Sequence, residues 1–277
     1  MLAEHGRQRL HLLDSARVFV LAMLAGAFIT TGALMSVLLA AGTRNEGMVR
    51  LIEGFGFSAG FFFVILSGAV LFTETNVVLP AVLLGDRRHA LRVLRFWGLA
   101  WLGNLVGAVV IGALMAISID LSPATQDLLG EIVAAKTTAT GQGAGAWWSV
   151  VVSGVLANWL VGMAAFFATM GRTIIGKYIP VLLAVTAFVA AGFQHSPANL
   201  GFFSLASATT GELDWGATLA WNLAPAGLGN IIGGGLAVAL LLSWAYARFD
   251  PPTVGGDPRA HLHDLQGDGL GARPVVR

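Results

Sequence analysis

Of the six histidines in the chain, only His195 falls inside a long apolar run, and of the fifteen carboxylates only Glu74 does. Ionisable side chains at such depth are expensive in hydrocarbon and mark solute pathways or proton relays. Histidine titrates nearest neutral pH, so a buried imidazole can take up and release a proton in turn. The competing reading is a neutral, hydrogen-bonded His195 that only ties its own segment together. Glu74 has two readings as well: a carboxylate facing a permeating solute, or one near the cytoplasmic mouth that caps the helix resuming at Val77. Thr73 offers a hydroxyl that can reach His195 if their segments face each other. Asn158 and Asn199 are uncharged donors, suited equally to a solute or to free backbone. Phe57, Phe61, Leu71, Phe72, Val161 and Phe188 lie near these groups, where aromatic and aliphatic side chains are most often packing.

The elements that must position these residues are membrane spans. Of 277 residues, 56% are hydrophobic and 11% charged, against about 25% charged in a soluble domain. The charges avoid several runs of roughly 20 residues, the length that crosses a bilayer core. Residues 1–15 form a polar, basic segment with leucines interspersed, suited to an amphipathic surface helix. Six spans follow over residues 16–247: 16–42, one from about 54, 96–119, 146–170, one from about 179, and 222–247. Residues 120–145 read as the longest polar connection. The tail at 248–277, rich in Gly, Pro and charge, is expected to be disordered and cytoplasmic.

Two spans are interrupted. Gly192, Gln194, His195, Ser196, Pro197 and Asn199 break the fifth; Thr73, Glu74, Thr75 and Asn76, with Pro80 beyond, break the second. Broken backbone at membrane depth survives only where protein or a water-lined cavity satisfies it, so such breaks mark binding or transport sites. Leu102-Gly103-Asn104-Leu105-Val106-Gly107 in span three returns as Leu228-Gly229-Asn230-Ile231-Ile232-Gly233 in span six, 126 residues later and in the opposite direction. The Gly-x-x-x-Gly spacing also allows close helix packing. The pattern predicts an all-α membrane protein of two inverted three-helix repeats with broken second and fifth helices. Thirteen Lys and Arg fall on the side of the termini and three on the other, which places both termini in the cytoplasm.

Asn158-Trp159-Leu160-Val161, Gly192 to Asn199 and Leu228 to Gly234, with Leu71-Phe72-Thr73 and Leu102-Gly103-Asn104, resemble motifs of the formate/nitrite transporter family, in the family's order from residue 16 to 247. The resemblance implies an aquaporin-like protomer with its own pore, assembled as a homopentamer in a bacterial or archaeal inner membrane. It implies passage of small monovalent anions or their weak acids: formate, nitrite, hydrosulfide, acetate or lactate. His195 matches the central pore histidine, Thr73 the threonine facing it, Asn158 the asparagine of span four and Lys136 the vestibule lysine. Phe57, Phe61, Leu71, Phe72, Val161 and Phe188 match positions lining the apolar constrictions. Glu74 departs from the small or neutral residue usual after that threonine, and the Phe-Thr-Glu pattern resembles a less characterised branch. A non-conducting member, or one selective for cations or neutral solutes, is the alternative reading that Glu74 raises. Pro197 replaces a less rigid residue.

Other classes are disfavoured. No Asn-Pro-Ala triplet occurs at either break. Without cysteine there are no disulfides, thiolate nucleophiles or Cys-based metal sites, and a single intramembrane histidine cannot hold a metal. The chain is not expected to be an enzyme, to carry a cofactor or to bind nucleic acid; its partners are the solute and membrane lipid.

Overall fold

The computed structural model describes residues 2–12 and 14–246, and every regular element among them is helical. The expected tail at 248–277 lies outside the described residues. In chain order the helices are α1 (Leu2–Leu12), α2 (Ser15–Ala40), α3 (Glu46–Ser67), α4 (Phe72–Gly85), α5 (Ala90–Ser118), α6 (Pro123–Thr137), α7 (Ala144–Met170), α8 (Ile174–Ala190) and α9 (Ser196–Thr210). The last, α10 (Trp215–Tyr246), contains two π-helical stretches, Leu219–Leu223 and Gly233–Leu240. Five helices are long and apolar enough to cross a membrane: α2, α3, α7, α10 and α5 with the preceding 3₁₀ turn at Arg87–His89. The helices α4 and α8 are apolar but shorter.

Short polar residues set where the helices start. The side chains of Asp14, Asn45, Thr173 and Asp214 each accept a backbone N–H from the first turn that follows, satisfying donors that have no partner within the helix. The Asn45 cap starts α3 eight residues before the expected Gly54, so its first two turns carry Glu46, Arg50 and Glu53. The segment 120–145 is likewise not a plain connection. Ser122 caps a helix that begins at Pro123, a favoured first position for proline. Leu128, Leu129, Ile132 and Val133 then recur at helical spacing and pack on the core.

Packing follows from glycine more than from hydrophobicity, since lipid is as apolar as leucine. Gly103 and Gly107 of α5 lie directly on the backbone of α2 at Phe19 and Met23. Gly229 and Gly233 of α10 lie on the backbone of α7 at Val151 and Val155. Any side chain at these positions would push the helices apart.

Both breaks are present, but the first is displaced. The sequence places it at Thr73 to Asn76; in the structure it spans Gly68 to Leu71, and Thr73 to Asn76 form the first turn of α4. Polar side chains suit that turn because its N–H groups lack helical partners. Gly68 (φ 68°) ends α3 and Gly192 (φ 70°) follows α8, in a left-handed conformation open to glycine at little cost. The N-terminal segment does form a helix, but α1 packs along α4 with Leu2 and Leu10 buried. Gly6 lies against the Val78 carbonyl, where a side chain has no room.

Candidate functional site

Two asparagines hold the breaks. Asn104 Oδ1 accepts the Phe72 N–H at 2.9 Å, and its Nδ2 donates to the Ala22 and Val70 carbonyls at 2.8 and 3.0 Å. Asn230 Oδ1 accepts the Ser196 N–H at 2.8 Å, and its Nδ2 donates to the Gly154 and Gln194 carbonyls at 2.9 and 3.1 Å. Each amide thus replaces, with one side chain, the backbone bonds that a continuous helix would have made. The Asn158 Nδ2 donates to the Thr73 carbonyl at 3.2 Å and to the Asn230 carbonyl at 2.7 Å, tying α7 to both halves.

His195 is the N-cap residue of α9. Its Nδ1 accepts the Ala198 N–H at 3.3 Å, which leaves Nε2 without a partner although the residue is only 1% exposed. The Phe188 ring lies beside the imidazole, centroids 5.2 Å apart. Thr73 Oγ1, Asn158 Oδ1 and Asn199 Oδ1 are also buried without partners among the described residues. The expected hydrogen bond from Thr73 to His195 is therefore not made in this structure. Four buried polar atoms in want of a partner suit a polar solute or water, because each is costly to leave dry.

Asn199 has a second task that the sequence did not suggest. Its Nδ2 donates to Gln194 Oε1 at 2.8 Å and to Asn222 Oδ1 at 2.7 Å, while the Asn222 Nδ2 donates to the Lys136 carbonyl at 2.7 Å. This chain joins α6, α9, α10 and the break beside His195. The sequence marks Gln194 only as part of the break, and Asn222 only as the start of a span, because an amide carries no spacing signal for the partner it will meet.

The apolar residues divide into two groups. Phe57, Phe61, Leu71, Val161 and Phe188 belong to one core cluster, together with Phe202. The Phe57 ring meets Phe188 edge-on at 5.9 Å and stacks on Phe202 at 5.7 Å. Phe72 lies in a separate cluster with Val70, Val77 and Phe166. Phe202, missed from the sequence, was findable at helical spacing from His195 by way of Ala198.

A cavity adjoins each break. On the α6 side, about 350 Å³ is lined by Glu46, Arg50, Glu53, Glu131, Lys136, Phe188, Gln194, Ala198 and Phe202, among others. The Lys136 Nζ sits 5.7 Å from the Phe202 ring centroid. Burial lowers the Lys136 pKa to about 8, with Glu53 acting in the opposite sense. On the α1 side, about 270 Å³ is lined by Leu2, His5, Arg9, Glu74, Val77 and Lys177, among others. There Glu74 is almost fully buried, and its Oε1 lies 3.7 Å from both Arg9 Nη2 and His5 Nε2. Arg9 also donates to the Gly68 carbonyl in the first break at 2.9 Å. Glu74 therefore faces α1 and its basic side chains.

Two helix breaks, each beside a cavity, with an imidazole buried at one of them whose Nε2 has no partner among the described residues, match the plan of a known group. The sequence model described as "Formate/nitrite transporter" matches residues 1–244. The chain belongs to the formate/nitrite transporter family. It is 34% identical over 246 residues to a probable formate transporter of Methanothermobacter thermautotrophicus, covering 84% of this chain and 89% of that protein. It is 30% identical over 255 residues to the formate channel FocA of Escherichia coli K12, covering 84% and 87%. Among solved structures it resembles a pentameric formate channel with formate bound, with TM-score 0.73, 25% identity and coverage of 84% of this chain and 98% of that one. An "FNT family ion channel" gives TM-score 0.74 at 25% identity, covering 88% and 96%.

Proposed function

We propose that this formate/nitrite transporter family member is a homopentameric channel for small monovalent anions that cross as, or by way of, their neutral weak acids. The observation that carries this reading is the buried, partnerless His195 Nε2, set beside the aromatic cluster of Phe57, Phe188 and Phe202. Bare anions are too costly to desolvate between such rings. Lys136 concentrates anions at the outer vestibule. A proton given by, or relayed through, His195 neutralises the anion for passage, with the unpartnered oxygens of Thr73 and Asn199 holding the solute. The pentamer is supported by the pentameric formate channel that the chain resembles. The termini are assigned to the cytoplasm on the Lys and Arg distribution, which makes the α1 mouth the inner one.

The inverted-repeat reading gains support from the two asparagine clasps. Each accepts the first N–H of a half-helix and donates both to the carbonyl two residues earlier and to a flanking helix. The register they define pairs Phe72 with Ser196, and so Leu71 with His195. The two halves thus contribute an apolar side chain and an imidazole at equivalent places.

Flux of a panel of weak-acid anions into proteoliposomes at two pH values tests the reading. Uptake that rises with proton supply and is confined to small monovalent acids is expected; no uptake of any of them would overturn it. Glu74→Gln tests the rival cation pathway. Because the Glu74 carboxylate already lies 3.7 Å from the Arg9 guanidinium on α1, anion flux in the variant is expected to stay close to wild type, with no cation flux in either protein. Cation flux in wild type that disappears in the variant would make Glu74 a selectivity residue instead.

A further inference from the structure

Glu53 stands one helical turn from Phe57 and two from Phe61, so the three share one face of α3. Phe57 stacks on Phe202, and the Lys136 Nζ sits over the Phe202 ring. Glu53 and Lys136 are thus placed above the two members of one stacked pair, and both line the same cavity. The other charged groups lining that cavity are Glu46 and Arg50 on α3 and Glu131 on α6; from the second break, His195 does not line it but lies within electrostatic reach of Lys136. Arg50 is already engaged, by Glu46 at 2.7 Å and by the Ala190 carbonyl at 3.2 Å. Glu131 is exposed, where solvent and salt screen its charge. Glu53 is half-buried and forms no direct ion pair among the described residues.

We propose that Glu53 is a positioning carboxylate that keeps Lys136 charged, and so sets the highest external pH at which the outer vestibule still concentrates anions. The inference rests on the permeation reading above. Removing a lysine from water disfavours its ammonium form, and a facing carboxylate restores it. Lys136 shows both influences, burial downward and Glu53 upward, and lies at about 8. The ammonium is present below that pH and is lost as pH rises through it; without Glu53 the loss comes at lower pH. Glu53 also offsets part of the field that Lys136 presents to an anion. Removing it therefore has opposite effects on the two sides of the transition.

The experiment measures formate flux in proteoliposomes across pH, as the ratio of Glu53→Gln to wild type. At about pH 6 the ratio is expected at or above one; by about pH 8 it falls several-fold, the alkaline limb having moved down by about one unit. Glu53→Asp restores the wild-type limb, and Glu131→Gln leaves it in place. A ratio that is flat across pH, or a limb that moves upward, overturns the inference. Lys136→Gln separates this failure from that of the larger reading. If Lys136→Gln loses flux at low pH while the Glu53→Gln ratio stays flat, only the role of Glu53 falls. If Lys136→Gln equals wild type at every pH, the vestibule lysine itself falls.

Discussion

His195→Asn is expected to lower weak-acid flux on the order of 10²-fold, the usual worth of a positioned proton donor or acceptor, and to flatten its pH dependence. Assembly and melting temperature should stay near wild type. The two nitrogens of the ring have separate tasks. The Nδ1 accepts the Ala198 N–H at the start of α9, a task that asparagine performs as an N-cap residue. The buried Nε2 has no partner among the described residues, and asparagine offers no titratable group in its place. Stopped-flow recording of internal pH in proteoliposomes, beside a thermal melt in detergent, separates the two tasks. A variant with the wild-type pH profile would show that the ring serves only the backbone.

The largest loss of stability is expected from Asn230→Leu. Leucine has nearly the same size, but it leaves the Ser196 N–H and the Gln194 carbonyl without their partner and removes a second hydrogen bond from the Gly154 carbonyl inside α7. A buried polar group stranded in this way costs about 1–3 kcal/mol. The two groups together come to about 2–6 kcal/mol, a large share of the roughly 5–15 kcal/mol that separates folded from unfolded protein. The variant should fail to give a single oligomeric species on size-exclusion chromatography, and Asn104→Leu should fail in the same way for the first break. Asn230→Asp keeps an acceptor for Ser196 but loses the donor, so it should fall between leucine and wild type. An Asn230→Leu protein that melts with wild type would mean that the clasp contributes little.

Much of this was legible in the sequence. Apolar runs, the two breaks and the paired Gly-Asn motifs report directly on what hydrocarbon tolerates, namely satisfied backbone and close-packed small residues. His195, Glu74, Thr73 and Asn158 stood out because polar groups are scarce at such depth. Local capping was harder to read. The α3 start at Asn45 and the whole of α6 depend on a single Asn and a Ser-Pro pair, whose weight was masked by the polar residues around them. The first break was misplaced for a related reason. A run of polar residues resembles a loop, whereas Thr73 to Asn76 occupy the first turn of a helix whose free N–H groups accept such side chains.

Glu74 shows where reading along the chain reaches its limit. Next to Thr73 it resembles a charge in the pathway that would repel anions. Its meaning depends on Arg9 and His5, more than sixty residues earlier, which α1 carries to within 3.7 Å. The same holds for Glu53 and Lys136, which line one cavity only because the fold brings α3 and α6 to its walls.

By itself, then, the amino-acid order determined a polytopic helical protein, its interrupted helices and the side chains available for proton chemistry, because burial in lipid penalises polarity residue by residue. Tertiary structure alone decided which charges neutralise one another, which amides clasp the breaks and which imidazole nitrogen is left free. Those outcomes depend on distances of a few ångströms between segments far apart in the chain, and electrostatic and hydrogen-bond energies change steeply over that range.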